Sequence, residues 1–545
     1  MRILVADKLA DEGLEFLKQS GAMFDVKVGL KEDELAAAVP GYDALIVRSG
    51  AKVTAKVLAN PGSLKAIARA GVGVDNIDLP AATEKGILVL NTAEASTLST
   101  AEHALALMMS LARKIPAANQ AIKSGALSAK DDWKKRTNYQ GTQLAGKTLG
   151  VVGLGRIGRT VATRALALEM NVVGFDPYFT QPTALDGKVV MVRDFDEFLK
   201  QIDVITFHVP GGAGTKHLLN RERLFNVARP NLLIVNDSRG EVVDEMAVAE
   251  AIKEKRIAGA ALDVFATEPP VKDHPLFGLE NVVLTPHLGA STDEAQTAVS
   301  VEACKAIVAY LKNGEIRGAV NAGGLKLDLP PDEMAFAKLA QRIGALLAGF
   351  HEGGYKTITL RVSGPRAPKH MNTLLRLAAV ELLRPHLTDA VNVINVEHLA
   401  KARGIDLVAI HENSPPQGLV GDVVGIRVDA PGAETNRILG TVYADNLPRI
   451  LRVDNFTMDM VPEGQMVMIV NKDQPGVIGV VGSTFGDAQV NIADMVISRD
   501  AKPDGAVALM VLKTDQAAPE ALVNRLKARP GILRVKVVGL PARGG

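Results

Sequence analysis

Residues 148–176 read TLGVVGLGRIGRTVATRALALEMNVVGFD, and this stretch decides the fold. Its first apolar run, 148–152, is too short for a buried helix and predicts a buried parallel strand. The glycine-rich GLGRIG follows at 153–158, then apolar residues at helical spacing, and then a second apolar run that ends on Asp176. Alone, the glycines could form an ordinary strand-to-helix turn. With a strand before them and a helix, a strand and an acid after them, they predict a dinucleotide-binding βαβ unit.

The residue types in this unit suit NAD. Gly153 allows the tight turn, Gly155 lets backbone amides approach a pyrophosphate, and Gly158 lets the helix pack on its strand. The free amides at the helix N-terminus supply the anion site. Asp176 lies 18 residues beyond Gly158, where its carboxylate can accept from the ribose hydroxyls and would repel a 2′-phosphate. Since no arginine follows among residues 177–179, we expect NAD rather than NADP.

Length and composition exclude several classes of protein. The 545 residues predict roughly three to four domains. With 62 basic and 61 acidic residues, the chain offers no nucleic-acid groove and no polybasic membrane anchor. A single cysteine, Cys304, excludes a disulfide framework and a cysteine-rich metal site, so we expect no metal and a reducing compartment. No apolar run approaches the ~18 residues of a membrane span, and the N-terminus enters a strand at once, so we expect a soluble cytoplasmic protein.

Short apolar runs alternate with helical patterns on both sides of the dinucleotide unit, which is typical of an α/β fold. They stand at 3–6, 44–47, 64–68 and 87–90 before it, and at 203–209, 232–236, 260–264 and 282–284 after it. We therefore predict a doubly wound Rossmann-type nucleotide-binding domain at 99–285, inserted in a flavodoxin-like substrate domain at 1–98 and 286–314. The segment 101–114 is apolar on nearly all faces and predicts a buried helix between the two domains.

Three loops at predicted strand ends carry polar residues: NDSRG at 236–240, DVFATEPP at 263–270 and TPHLG at 285–289. Arg239 offers a planar fork for a substrate carboxylate. His287 can exchange a hydroxyl proton, and a carboxylate such as Glu268 can fix its tautomer and stabilise its charged form. Taken singly, the three residues could be a surface ion pair, a turn histidine and a helix cap. Together they suit the oxidation of a 2-hydroxy acid.

The motifs VVGLGRIGR, NDSRGEVVDE, GAALDVFATEPP and TPHLGAST resemble the D-isomer-specific 2-hydroxyacid dehydrogenase family. IVRSGAKVTAKVL, RAGVGVDNIDLPAATEKGILVLNT and the C-terminal extension resemble the branch that oxidises D-3-phosphoglycerate to 3-phosphooxypyruvate with NAD, the first step of serine synthesis. The resemblance covers the whole chain. One alternative is a hydroxypyruvate or glyoxylate reductase of the same family, although such enzymes generally lack the C-terminal domains. The other is a non-catalytic NAD-sensing binding protein, against which the neutral charge and the Arg, Glu and His positions argue.

The resemblance implies a role for each motif residue. His287 would be the acid/base, Glu268 its partner, and Arg239 the anchor of the substrate carboxylate. Asp263 would hold the nicotinamide carboxamide. The other implied cofactor positions are Val72, Arg156, Ile157, Val209, Ser238 and Gly289, and the implied substrate positions are Arg48, Ser49, Gly73 and Asn76. The chain departs from the family's pattern at GGAGT, 211–215, and at Glu241, where a glycine is common, so we expect a more mobile loop on the adenine side.

Two further units follow. Residues 315–457 read as mixed α/β and resemble a regulatory or anion-binding intervening domain, in which Arg437, Arg449 and Arg452 form either an anion site or a solvated face. Residues 463–541 predict the order βαββαβ, a ferredoxin-like arrangement. The DQPG turn at 473–476 and the asparagine at 491 resemble an ACT domain, a small-ligand sensor that commonly pairs across a dimer. The resemblance implies that serine, as effector, binds at Asn471, Asp473 and Asn491 of a homo-oligomer, a dimer or tetramer. A structural dimerisation module without a ligand is the alternative.

Overall fold

A computed structural model of the chain describes residues 1–351, 353–388, 390–430, 436–444, 446–500 and 507–541. Its strands form four sheets of five, eight, six and four strands in chain order. The first two sheets are largely parallel and doubly wound, and the third and fourth are largely antiparallel. The predicted fold class is confirmed.

The first sheet has the strand order β2-β1-β3-β4-β5, and all of its pairs are parallel. Its strands are Arg2–Val5 (β1), Met23–Val26 (β2), Ala44–Val47 (β3), Ala66–Arg69 (β4) and Leu88–Asn91 (β5), with helices Asp11–Gln19 (α1), Glu32–Ala38 (α2) and Leu79–Glu84 (α3). The inner strands β1, β3 and β4 are apolar and buried on both faces, as parallel strands covered by helices must be.

Two helices lead into the second sheet, Thr97–Ala112 (α4) and Ile115–Lys123 (α5), followed by 3₁₀ turns at Asp132–Tyr139. The predicted apolar helix at 101–114 corresponds to α4, which begins four residues earlier and ends two earlier. It is buried because its apolar residues, among them Leu107, Met108 and Leu111, join the core of the second sheet. The basic cluster at 134–136 lies in the exposed turns, where Lys134 and Lys135 pair with Asp131 and Asp132.

The second sheet has the order β13-β12-β11-β10-β6-β7-β9-β8, and only the short β8–β9 pair is antiparallel. Its strands are Thr148–Val152 (β6), Asn171–Phe175 (β7), Thr183–Ala184 (β8), Val189–Met191 (β9), Val204–Phe207 (β10), Leu233–Asn236 (β11), Gly259–Leu262 (β12) and Val282–Leu284 (β13). Its helices are Arg156–Ala167 (α6), Phe195–Leu199 (α7) and Glu245–Lys253 (α8). The strand order reverses between β6 and β10, and open α/β sheets bind ligands at such a switch point.

The helix Asp293–Asn313 (α9) returns the chain to the first sheet. Its buried residues Ala303, Cys304 and Ile307 join the core that covers one face of β1, β3 and β4. Burial raises the pKa of the Cys304 thiol to about 12, so this cysteine is a packing residue rather than a reactive one.

The third sheet has the order β15-β14-β16-β17-β18-β19. Its strands are Thr357–Ser363 (β14), Asp406–His411 (β15), Val423–Asp429 (β16), Asn436–Val442 (β17), Pro448–Val453 (β18) and Phe456–Met460 (β19), with helices Pro331–Phe350 (α10), Met371–Leu383 (α11) and Val396–Ala402 (α12). The long helices α10 and α11 pack on each other and on this sheet, and bury residues such as Leu339, Ile343 and Leu382.

The fourth sheet has the order β21-β22-β20-β23 and the predicted βαββαβ sequence. Its elements are Gly464–Lys472 (β20), Val477–Asp487 (α13), Ile492–Arg499 (β21), Val507–Thr514 (β22), Glu520–Lys527 (α14) and Ile532–Leu540 (β23). One face of this sheet, including Met466, Met468 and Val511, shares a continuous buried core with α10 and the third sheet. Among the helices that the structure describes, none is both long enough and apolar enough to span a bilayer.

Candidate active site

The carboxyl ends of the first two sheets meet at a cleft, and side chains bridge the two sides. Arg239, after β11, reaches Asp75, after β4, with both Nε and Nη2 at 3.1 Å from the carboxylate. Arg156, at the start of α6, pairs with Glu94, after β5, at 2.6 Å. The loops after β4, β5 and β11 and the start of α6 therefore face one another at this cleft.

The glycine turn after β6 has the shape that a pyrophosphate needs. Gly153 has φ +87°, and a Cβ there would lie 2.5 Å from the carbonyl oxygen of His208. A Cβ at Gly158 would lie 1.9 Å from the Gly153 oxygen, so only glycine lets α6 approach the turn. At Gly155 nothing lies within 4 Å of a Cβ position, which leaves the N-terminus of α6 open. The turn therefore fits the phosphates of a dinucleotide.

Asp176 directly follows β7, the second strand of this unit. Its Oδ2 accepts from the Leu154 amide and its Oδ1 from the Tyr178 amide, both at 2.9 Å. The carboxylate thus braces the glycine turn, and each oxygen keeps a second lone pair for a hydroxyl donor. Ile157 points partly into the core behind α6, so it can contact a cofactor only with its exposed edge.

His287 and Glu268 form a pair at the cleft. His287 Nδ1 lies 2.9 Å from Glu268 Oε2, and the two side chains are 50% and 39% exposed. Since a carboxylate only accepts, Nδ1 carries the proton and Nε2 is left with a lone pair that can take a proton from a substrate. The backbone of His287 is left-handed, with φ +58°, and its amide donates to the carbonyl of Asp263 (2.8 Å).

Asp263 holds the turn that presents His287. Its fully buried carboxylate accepts from the Leu288 amide (2.7 Å), the Gly289 amide (2.8 Å), the Thr285 hydroxyl (2.6 Å) and His103 (3.1 Å). Burial alone would raise the pKa of Asp263, but the hydrogen bonds from His103, Thr285 and Leu288 keep it below its usual value. The sequence suggested a cofactor contact for Asp263, and the structure shows in addition that Asp263 holds the turn that carries His287.

Arg239 lies between the two halves of the cleft. Its Nη1 donates to the carbonyl of Ser238 (2.7 Å), and a Cβ on Gly73 would lie 1.9 Å from its Nη2. The glycine therefore makes room for the guanidinium. Ser238 itself is buried, and its hydroxyl donates to Asn236 Oδ1 at 2.8 Å.

Sequence reasoning did not select Arg69, the last residue of β4. A Cβ on Gly71 would lie 1.6 Å from Arg69 Nη1, and Arg69 Nε is buried without a hydrogen-bond partner. Burial, followed by the positive charge of Arg239, lowers the pKa of Arg69 to about 10. In the sequence, this residue could have been recognised as an arginine that ends an apolar strand directly before a glycine-rich loop.

Arg48 belongs to the same cationic group, which we call the arginine cluster: Arg48, Arg69 and Arg239. The Arg48 amide donates to the buried Asp7 (2.6 Å), and the guanidinium contacts Gln296 and the Lys8 carbonyl. Asn76 donates to the carbonyls of Arg48 and Ala51, both at 2.7 Å, and so holds this loop. Ser49 is exposed beside it. The predicted substrate residues are thus brought together.

A buried pair underlies the loops after β10 and β11. Asp237 Oδ1 lies 3.4 Å from His208 Nδ1, both side chains are almost fully buried, and neither Asp237 oxygen has a hydrogen-bond partner. Burial, and then the charge of Asp263, raises the pKa of Asp237 well above its usual range, while burial lowers the pKa of His208 to about 3. Both directions indicate a neutral pair rather than an ionic one.

The hydrophobic cofactor positions lie beside these loops. Val209 lies against the glycine turn, since its Cγ1 would be 2.8 Å from a Cβ at Gly153. The carbonyl of Val72 accepts a hydrogen bond from the Asn91 side chain (2.7 Å).

Glu241 binds the chain after β10 through two hydrogen bonds. Its side chain accepts from the Gly212 amide (2.6 Å), and its backbone carbonyl accepts from the His217 amide (2.7 Å). Glu241, which departs from the family's pattern, thus binds the adenine-side loop at Gly212 and the chain just after it at His217, and the mobility of this loop stays a prediction.

The predicted effector residues divide between the two ends of the fourth sheet. Asp473 pairs with Arg499 (2.7 Å), and Asn471 beside it has a buried Oδ1 without a partner. Asn491 donates to Asp515 (2.7 Å) next to Ile492, which pairs with Thr514, opposite Gln465. Because β20 rises ~3.3 Å per residue, Asn491 lies roughly 20 Å from Asn471 in one chain. A site that contains all three residues needs two copies of the chain.

Two other predictions concern charged groups. Arg449 pairs with Asp459 at 3.4 Å, while Arg437 and Arg452 lie on β17 and β18 of the third sheet. Within the part of the chain that the structure describes, no three His, Cys, Asp or Glu side chains cluster in a way that could hold a metal ion.

Family models match most of this architecture. Residues 105–289 match the NAD binding domain of the D-isomer specific 2-hydroxyacid dehydrogenases, 334–454 the D-3-phosphoglycerate dehydrogenase intervening domain, and 466–531 the ACT domain.

Whole-chain relatives agree with the domain matches. The chain is 38% identical over 542 residues to a D-3-phosphoglycerate dehydrogenase of Archaeoglobus fulgidus, covering 99% of this chain and 100% of the relative. It is 38% identical over 540 residues to the Methanocaldococcus jannaschii protein of the same name, with coverage of 99% and 100%. A crystal structure of a Thermus thermophilus protein superposes with a TM-score of 0.54 and 35% identity, covering 59% of this chain and 100% of that one.

Proposed function

The chain belongs to the D-3-phosphoglycerate dehydrogenases of the D-isomer-specific 2-hydroxyacid dehydrogenase family, and on that premise we propose how its residues act. It is an NAD-dependent dehydrogenase that oxidises the C2 hydroxyl of D-3-phosphoglycerate to 3-phosphooxypyruvate, the first step of serine synthesis. The observation that carries the mechanism is the meeting of His287, Glu268 and the arginine cluster at the cleft beside the glycine turn.

NAD is held by the unit that begins at β6. The amides at the start of α6 would bind its pyrophosphate beside Gly155, and Asp176 would accept from its adenosine ribose. The other proposed contacts are Val72, Gly153, Arg156, Ile157, Gly158, Val209, Ser238, Asp263 and Gly289. When bound, NAD supplies the acceptor for the hydride that leaves C2. Arg156, which pairs with Glu94 in this structure, would face the pyrophosphate instead.

His287 removes the hydroxyl proton. Its Nε2 takes the proton while Glu268 stabilises the imidazolium that forms. Arg239 binds the substrate carboxylate in a planar fork and exchanges Asp75 for it. This anchor fixes C2 and its hydroxyl relative to His287. Holding the reacting groups in the right geometry lowers the barrier of the reaction.

The rest of the arginine cluster serves the phosphate. Arg48 and Arg69 place two further cations beside the carboxylate anchor, while the whole protein carries a net charge of only +1. Gly73 lies against Arg239, and Asn76 holds the Arg48 loop with Ser49 exposed beside it. Since the charge is local, it favours a substrate with two anionic ends over one with a single carboxylate.

NADH formation tests the assignment. We expect NAD-dependent turnover of D-3-phosphoglycerate with kcat/KM well above that of D-glycerate. A higher kcat/KM for D-glycerate would indicate the hydroxypyruvate or glyoxylate reductase reaction instead. NAD binding without turnover of either acid would indicate a non-catalytic NAD-sensing protein.

Regulation and assembly complete the proposal. Serine inhibits by binding at Asn471 and Asp473 of one fourth sheet and Asn491 of another, because these residues are too far apart in one chain. The protein is then a homo-oligomer, a dimer or tetramer, and it acts in the cytoplasm. Its working units are a substrate domain, 1–98 with 286–314, the NAD domain 99–285, an intervening domain 315–457 and an ACT domain 463–541. Light scattering with and without serine tests the assembly.

A further inference from the structure

Glu268 lies on an exposed loop whose shape depends on the residues before it. Residues 266–269 are exposed, whereas Phe265 is buried. The Phe265 amide donates to Glu268 Oε1 (3.2 Å), while Glu268 Oε2 faces His287. A displacement of this short segment would therefore move the carboxylate away from the imidazole.

Glu245, the first residue of α8, ties this loop to the second sheet. Its Oε1 accepts from the Ala266 amide (2.8 Å), and its Oε2 lies 3.0 Å from His274 Nε2. The Glu245 and His274 side chains are only 12% and 7% exposed. Hydrogen bonds to a charged group are stronger than neutral ones, and this pair is shielded from the screening that weakens surface pairs. Glu245 thus holds both ends of the segment 266–274.

The His274 ring is fixed from both sides. It packs edge-on against Phe265, with centroids 5.6 Å apart, and lies 5.3 Å from the Phe277 ring. Its Nδ1 is buried without a hydrogen-bond partner. Since a carboxylate only accepts, Nε2 donates to Glu245, and the same carboxylate accepts from the Ala266 amide through its other oxygen.

The segment also backs the arginine anchor. A Cβ at Gly240 would lie 1.9 Å from the carbonyl carbon of Phe265, so the loop after Arg239 packs directly on the residue that precedes the Glu268 loop. The loop after Arg239 therefore supports Phe265 and limits how far it can move.

We propose that Glu245 and His274 are positioning residues that set the contact between Glu268 and His287 through the Phe265–Ala266 backbone. This inference rests on the proposed function, because it gives the pair a role in the proton transfer at His287. Among the described residues, Glu268 is the ionisable side chain in ion-pair contact with His287. The pair therefore acts on the catalytic histidine only through Glu268.

Kinetics of His274→Ala and Glu245→Ala test the proposal, with D-3-phosphoglycerate and NAD from pH 6 to pH 10. We expect kcat/KM to fall roughly 10- to 100-fold, the cost of a misplacement of about 1 Å. The acidic limb of the profile should move to lower pH, because an imidazolium without its carboxylate gives up its proton more easily. NADH binding, followed by fluorescence, should stay near wild type.

Two further variants separate positioning from mere folding. His274→Gln keeps a donor at the place of Nε2 and should restore much of the rate and the limb. Glu250 lies on α8, as Glu245 does, but it pairs with the exposed Arg221. Glu250→Gln should therefore leave the pH profile of kcat/KM unchanged. An unshifted limb in His274→Ala, with loss of melting temperature alone, would overturn the proposal.

A double-mutant cycle shows whether the pair acts through Glu268. If it does, His274→Ala should change kcat/KM by less than about twofold in a Glu268→Gln background. Independent, multiplicative losses would overturn the proposal. If the wild type turns over D-glycerate but not D-3-phosphoglycerate, the proposed substrate is wrong, and the same cycle with D-glycerate still decides the role of the pair.

Discussion

Positive charge exceeds negative charge at the substrate end of the cleft. Asp75 lies near both Arg239 and Arg69, and Asp7 binds mainly backbone amides of the Arg48 loop. The lowered pKa of Arg69, at about 10, shows that burial and neighbouring cations disfavour its charge. A doubly anionic substrate would relieve this cost at both of its ends, so we expect a preference for a phosphorylated acid.

The arginine cluster can be tested by comparing two substrates. Arg48→Ala and Arg69→Ala should each raise KM for D-3-phosphoglycerate about 10- to 100-fold, the value of a charged hydrogen bond, and should raise KM for D-glycerate much less. Arg221→Ala, an exposed arginine paired with Glu250, is the matched control. Equal losses on both substrates would assign the residue to the carboxylate or to packing.

His287 should carry the proton transfer. His287→Ala should lose roughly 10²–10⁴-fold in kcat, the usual contribution of a positioned acid/base, while NAD affinity barely changes. Glu268→Gln should be milder and should shift the acidic limb of the pH profile to lower pH, because the carboxylate stabilises the imidazolium. Full activity of His287→Ala in a steady-state assay would refute the assignment.

Asp176 should decide the choice of cofactor. Asp176→Ala removes a ribose acceptor and a charge that repels a 2′-phosphate, so NAD affinity should fall about 10-fold and the relative use of NADP should rise. Asp176→Ala also leaves the Leu154 amide without its acceptor. Asp176→Asn is the control, because its side-chain carbonyl oxygen can still accept from that amide. Measurement of kcat/KM with both cofactors checks this. An unchanged ratio in both variants would mean that Asp176 does not face the ribose.

The ends of β10 and β11 are joined by a pair that costs stability at high pH. Burial raises the pKa of Asp237, so the folded state keeps a proton that the unfolded chain releases above its ordinary value of about 3.9. Stability from this group is present in acid and is lost as the pH rises. A neutral carboxyl can instead share its proton with His208 Nδ1, while Nε2 lies 3.0 Å from the Thr206 hydroxyl.

Asp237→Asn should therefore stabilise the protein, because its amide stays neutral and can donate to His208. The gain in melting temperature, measured by calorimetry without cofactor, should be small at pH 5 and larger at pH 8. Asp186→Asn, an exposed change in the same half of the protein, should show no such dependence. A gain that is equal at all pH values would contradict the neutral pair.

The sequence predicted the elements whose local pattern agrees with their burial. β6, the glycine turn and α6 could be recognised because strand, turn and helix follow each other within one window. β2 was not predicted, because Met23–Val26 is a largely exposed edge strand with no apolar run. β8 and β9 were not predicted, because strands of two and three residues are too short to show a pattern. Arg69, Asp237 and the Glu245–His274 pair could not be selected, because their significance arises from burial and from partners distant in sequence.

At the scale of the whole molecule, the third and fourth sheets are joined by a shared hydrophobic core. Met466, Met468 and Val511 of the fourth sheet share a buried core with α10. The third domain in turn contacts the first: Asn392 donates to the Gly86 carbonyl (2.9 Å) and Asn395 to the Glu84 carbonyl (3.3 Å). Gly86 follows α3, which begins shortly after the Asp75 loop, so we expect a movement of the C-terminal unit to reach the substrate side of the cleft.

Serine should act along this route. A carboxylate at Asp473 can hold the ammonium group, and it would exchange Arg499 for it, while the unpaired Oδ1 of Asn471 can accept a second hydrogen bond. Asn491 of another copy can meet the serine carboxylate and hydroxyl. A ligand shifts an equilibrium only through contacts that differ between two arrangements, and a site shared by two chains provides that difference.

Asp473→Ala should then abolish serine inhibition and leave uninhibited turnover near wild type, because the residue lies far from the cleft. Asp487→Ala, which breaks an exposed pair with Arg525 in the same domain, is the control and should remain sensitive. Inhibition curves and calorimetry with serine measure both. If the wild type neither binds nor responds to millimolar serine, the fourth sheet is a structural dimerisation module. Substitution of Asn471, which is almost fully buried, should then be tested first for its effect on serine binding.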